Sequence, residues 1–270
     1  MWSGWRIPLS TKHHLSSAQE LYVGAGYDAL LFGTNGRKGV PVHLLTRVSL
    51  GSPIALDADG LIVGATSTEL PNNGTKTYTT ADDGASPIDN VATPAPSTIT
   101  TSTGATASVW ALDVPRNITA TSTSAAADTV FTITGYDYWK VKVVEQFTIA
   151  AAASSGAGKK AFAYIESIAI YSAGDVTTDT VTVGWGDVLG LPYKLTSKAD
   201  AVRVFFNDVL DDSATVVKAD ATDPATATTG DVRGTVDTNS ASDGSAVVVW
   251  MHVQDTSTPE GLRGVAQYGG

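Results

Sequence analysis

The chain is predicted to be all-β: an antiparallel β-sandwich or barrel with an extended N-terminal arm. Three observations predict this. Charged residues make up only 16% of the sequence, and the balance falls to Thr, Ser, Ala and Gly, which suit pleated strands and tight turns better than helix surfaces. From Phe131 onward, bulky apolar residues occupy every second position, the pattern of a strand with one buried face. Short apolar segments then recur at close spacing between turn signals, which fits a sandwich or barrel and not βαβ units.

Residues 1–50 read as an N-terminal arm with a short helix or strand. Ser17 and Glu20 have capping-box spacing, but Gly24 and Gly26 stop any helix soon afterwards. Pro41 to Val48 reads as a strand. A loosely packed N-terminal part of the main domain is an equal alternative for this segment. Residues 51–108 read as a turn-rich, irregular β segment. Asp57-Ala58-Asp59-Gly60 forms a tight turn feeding Leu61-Ile62-Val63, and Pro71-Asn72-Asn73-Gly74 forms another, with Asn-Gly supplying positive φ. Ala81 to Thr106 reads as a long loop or irregular wrapping segment.

Residues 109–270 are expected to form the sandwich or barrel domain. Strands are predicted at Val109–Pro115 leading into Arg116–Thr121, at Thr129–Gly135 and at Val141–Ile149. Lys160–Tyr171 is compatible with a helix, but its β-branched and aromatic content favours a strand. Val181–Gly184, Leu191–Tyr193, Ala201–Leu210, Asp231–Val236 and Ser245–Val253 complete the set, with Ala214–Ala219 pairing back on Ala201–Leu210 as a hairpin.

The net charge of −10 argues against a phosphate-binding surface and against docking on an anionic membrane. Neither nucleic acid nor membrane is expected as a partner. The absence of cysteine rules out disulfides and thiol chemistry and favours a reducing compartment. Met1 to Arg6 leads into no apolar core of a signal peptide, and no apolar run is long enough to span a bilayer.

No constellation for catalysis emerges, so neither an enzyme nor a cofactor is expected. His13 and His14 are adjacent, and on an extended chain they point apart; His43 and His252 fall in predicted strands, and no metal set is expected. Asp57-x-Asp59-Gly60 opens like a calcium loop but runs directly into Leu61-Ile62-Val63. Gly24-x-Gly26 and Gly184-x-Gly186 lack the third glycine and the strand-to-helix setting of a dinucleotide site. No Gly-x-Ser-x-Gly elbow is present. The pairs Asp82-Asp83 and Asp211-Asp212 read as solvated turns, and the sequons at Asn73 and Asn117 carry little meaning without a signal peptide. The chain has six tryptophans. Trp2 and Trp5, beside Ile7 and Leu9, are candidates for docking on a neighbouring protein or a second subunit; tucking into their own domain is the other reading. Trp139 and Trp185 are candidates for stacking on sugars.

Leu112-Asp113-Val114-Pro115-Arg116-Asn117-Ile118-Thr119 resembles a segment of tailed-bacteriophage head decoration (capsid cement) proteins. Gly158-Lys159-Lys160-Ala161-Phe162, Gly186-Asp187-Val188-Leu189-Gly190-Leu191-Pro192, Gly230-Asp231-Val232-Arg233-Gly234 and Gly261-Leu262-Arg263-Gly264-Val265-Ala266-Gln267-Tyr268 continue the resemblance in the same order. Together they cover roughly residues 110–268. The resemblance implies a virion structural protein on the outer capsid surface, assembled in the host cytoplasm. It would bridge neighbouring major capsid proteins as a homo-oligomer, a dimer or a trimer. A head-fibre, tail or baseplate component, or a carbohydrate-binding adhesin-like module, is the alternative.

Overall fold

The β-branched and aromatic segments pair into antiparallel ladders throughout a computed structural model that describes residues 43–65, 70–71, 73–88, 94–123, 128–151, 153–172, 180–254 and 262–270. The strands are β1 (His43–Gly51), β2 (Asp57–Ala65), β3 (Gly74–Thr79), β4 (Pro96–Thr100), β5 (Thr106–Ser122), β6 (Thr129–Tyr136), β7 (Lys142–Ile149) and β8 (Ser155–Ala157). They continue with β9 (Phe162–Ser172), β10 (Val181–Gly190), β11 (Ala201–Phe206), β12 (Val209–Leu210), β13 (Thr215–Lys218), β14 (Gly234–Asp237) and β15 (Val247–Gln254). The expected all-β, antiparallel class is the class found.

Two sheets result. The smaller has the order β1-β15-β11-β12. The larger runs β13-β14-β10-β5-β9-β6-β7, with β2 added to β10, β3 to β9, and β4 and β8 to β5, and it curls into a half-barrel. The 17-residue β5 makes the curl possible by changing partners along its length. Its first residues pair with β4, its middle with β9, and its end with β8 and β10.

The alternation in β6 does what its pattern predicts: Phe131 and Ile133 are fully buried while the alternating Thr132 and Thr134 are not. With Trp110, Ile118, Phe162, Ile165, Ile168, Ile170 and Trp185 they form the main core inside the curl. Each such side chain contributes roughly 1.5–3 kcal/mol by leaving water. A second core joins the sheets: Val48, Val204, Val249 and Met251 of the small sheet meet Val114, Leu189 and Val236 of the large one.

The strand favoured for Lys160–Tyr171 is found, as β9. The structure corrects several other local expectations. Leu191–Tyr193 is a bend following β10. Ala81–Thr106 is not wholly irregular, because Pro96–Thr100 pairs with β5 and Thr80–Asp82 forms a capped 3-10 turn. Asp57–Gly60 lies inside β2. Ala201–Leu210 is two strands: Asn207 and Asp208 both take positive φ, 51° and 60°, the signature of a two-residue type I′ hairpin turn. The return partner of β11 is therefore β12, and Thr215–Lys218 pairs with β14 in the other sheet. The predicted arm contacts Trp2, Trp5, Ile7 and Leu9, the His13–His14 pair and Gly24-x-Gly26 lie outside the described residues.

Candidate functional site

The five motifs, scattered over more than 150 positions, converge on one polar junction in the larger sheet and its loops. Arg116 is fully buried on β5, where Nη1 and Nη2 donate to the Ile54 carbonyl and Nη2 also donates to Asp113 Oδ2 at 3.0 Å. Asn117 bridges two motifs: its Nδ2 donates to the Gly158 carbonyl, and its Oδ1 accepts from Val188 N–H. Asp231 Oδ2 accepts from Ala161 N–H, and its Oδ1 accepts from the N–H groups of Arg233 and Gly234. Arg233 donates through Nε to the Leu191 carbonyl and through Nη1 to Asp137 Oδ2 at 2.8 Å. Gln267 donates to the same Asp137 oxygen. Gly264, at φ 91°, lies so close to the Val232 carbonyl that a Cβ there would sit 2.1 Å from it. Buried charges survive only when paired and hydrogen-bonded; here Asn117, Asp231 and Arg233 reach into other motifs, while Arg116 is held by Asp113 and Ile54 and Arg233 also by Asp137.

Glu145 on β7 belongs to the same junction. Its Oε1 accepts from the N–H groups of Lys159 and Lys160, while Oε2 is buried without a hydrogen-bond partner. Burial pushes its carboxyl up to about 7, against the pull of those two N–H groups and of the Lys160 ammonium, and Asp231 raises it further. Lys160 is fully buried as well, and its Nζ donates to the carbonyls of Val144 and Thr226.

Beside this junction β5 swells away from β9. Ala111 pairs with Tyr164 and Arg116 with Phe162, so Leu112 to Pro115 oppose Ala163 alone. Bulges re-aim side chains and interrupt pairing, and they concentrate beside functional sites. The result is a hollow of about 500 Å³ between Leu112–Pro115, Ala163–Tyr164 and the turn Tyr138–Lys140. Asp137 builds that turn by accepting from Trp139 and Val141 N–H through Oδ1. Tyr138 is half exposed and meets Trp139 edge-on at 5.1 Å. The indole is anchored by its N–H, which donates to the Pro192 carbonyl, and the Arg263 guanidinium lies 4.0 Å over its ring. Lys140 is held at φ 60°, a sparsely populated conformation for a residue with a side chain.

A second surface lies on the outer face of the small sheet. Strand register aligns Arg47 of β1, Trp250 of β15 and Arg203 of β11 in one row. The rows on either side, Val48–Val249–Val204 and Met251–Ala201, point into the second core. Both arginines are exposed, and neither has an ion-pair partner among the described residues.

The individually weighed candidates fall out as follows. Trp185 is buried, with its N–H donated to the Ala55 carbonyl and its ring packed over Gly60, so it has no face for a sugar. Trp139 does reach the surface, and Tyr138, Lys140 and Arg263 join it without any signal in the sequence. Asn117 is buried, so its sequon serves the junction. Asn73 sits at φ 52° in the expected turn and accepts from the Tyr171 hydroxyl. Asp57, at the start of β2, accepts from Asp59 N–H. Among the described residues no group of three or more His, Asp or Glu could hold a metal ion, and no helix is long and apolar enough to cross a membrane.

No family model, curated protein or solved structure matches the chain.

Proposed function

We propose that the chain is a virion structural protein of the head decoration kind: a non-enzymatic cement that docks on the outer capsid surface and bridges neighbouring major capsid proteins. The observation that carries the reading is the Arg47–Trp250–Arg203 row. A tryptophan between two guanidinium groups that have no ion-pair partner among the described residues, on a sheet face of a chain with net charge −10, has the composition of an interface anchor and suits an acidic, partly apolar protein surface. The ordered motifs support the same reading, because they build an interlocked body that holds this face rigid.

Adding purified protein to capsids assembled without it tests the proposal. Binding of hundreds of copies per particle, with a raised capsid melting temperature, is expected. Charge reversal by R47E/R203E should weaken binding by roughly 10- to 100-fold, about 1.4–2.8 kcal/mol, and wild-type binding should weaken as salt rises. A dozen or fewer copies per particle would point to a tail or head-fibre component. No effect of the double variant would remove this face from the contact.

A further inference from the structure

The geometry points to the hollow at the β5 bulge as a binding site for a saccharide bearing a carboxylate group, an activity separate from capsid docking. The volume, about 500 Å³, lies within the range of small-ligand sites. Its aromatic wall is Tyr138, Trp139 and Tyr164, and its polar groups are Asp113 and Lys140. A sugar ring is apolar on its faces and polar around its edge, so aromatic planes set beside isolated polar groups are its complement.

The local charge selects an anion. Asp113 is neutralised by Arg116, and Asp137 by Arg233. Lys140, which lines the hollow, and Arg263, over the Trp139 ring, have no carboxylate partner among the described residues. With both nearby carboxylates already paired, the Lys140 ammonium in the hollow's wall is left to attract an anionic ligand. The backbone at Lys140, φ 60°, is the kind of strain that proteins retain at ligand clamps. An extended acidic peptide fits less well. Strand addition needs a continuous free edge, and this gap is closed at both ends by the Ala111–Tyr164 and Arg116–Phe162 pairs. A compact ring is not so limited.

Isothermal titration of the full chain with tetragalacturonate, cellotetraose and tetraglutamate, each at up to about 10 mM, tests the inference. Tetragalacturonate should bind and the other two should bind at least 10-fold more weakly. Tyr138→Ala and Lys140→Gln should each weaken tetragalacturonate binding at least 10-fold. Tyr138→Phe should retain it, and urea midpoints should confirm that all three variants fold. No binding of tetragalacturonate overturns the inference. Equal binding of tetraglutamate reduces the site to a charge effect, equal binding of cellotetraose removes the carboxylate requirement, and unchanged binding by the folded Tyr138→Ala and Lys140→Gln variants places any site elsewhere; each of these outcomes also overturns it.

Discussion

Glu145 illustrates how burial ties a carboxyl to stability. Its carboxyl is raised from an ordinary 4.5 to about 7 chiefly by burial, so the folded protein holds its proton more tightly than the unfolded chain. The stabilising contribution is then fully present below about pH 4.5 and is lost as pH rises through 7. Two to three pKa units correspond to about 3 kcal/mol. Glu145→Gln retains an acceptor for the Lys159 and Lys160 N–H groups and removes the titration. Urea midpoints at pH 5 and 8.5 should show wild-type stability falling across this window and the variant lacking that part of the fall. An identical pH slope in both proteins would rule Glu145 out as the source. The same scale explains why the motif residues were visible as a pattern but not as a mechanism. Arg116, Asn117, Lys160, Asp231 and Arg233 look in sequence like surface polar residues, yet all are buried. Apart from the local Arg116–Asp113, Asp231–Arg233 and Asp231–Gly234 contacts, the partners of their side chains lie 16 or more residues away, and only folding pairs them.

At the scale of elements, local chemistry decided most strands and long-range pairing decided where they went. The period-2 pattern of β6 marked a half-buried strand, and β6 is one. Asn207 and Asp208, by contrast, sit in the middle of an apolar run, and only their positive φ values reveal the hairpin. Asp208→Gly should relieve the left-handed cost at φ 60° and stabilise the fold by about 0.5 kcal/mol, since Asn-Gly is the preferred type I′ pair; thermal melting measures it, and a lower melting temperature would count against the turn assignment. The edge of β7 shows a second device. Val144 and Gln146 donate outward to the carbonyls of Tyr268 and Ala227, so the C-terminal residues and the loop after β13 cover an edge that would otherwise invite pairing with another chain.

For the whole molecule, the two cores are not independent. β5 and β10 contribute to both: Ile118 and Trp185 to the first, Val114 and Leu189 to the second. The described residues should therefore unfold in one cooperative transition. Phe131→Ala in the first core and Met251→Ala in the second should each cost about 2–5 kcal/mol and lower a single, shared melting transition. Calorimetry resolving two transitions, with each variant shifting one of them, would show separate folding units. What the sequence determined by itself was the class, the positions of most strands and the absence of recognisable catalytic motifs, because alternation, turn residues and composition act over a few neighbouring positions. What only the tertiary structure decided was the partnering of β13 with β14, the buried polar junction, the hollow at the β5 bulge and the Arg47–Trp250–Arg203 row. Each of these depends on strand register between residues far apart in the chain, and register is set by which faces must be buried together, information that no local window carries.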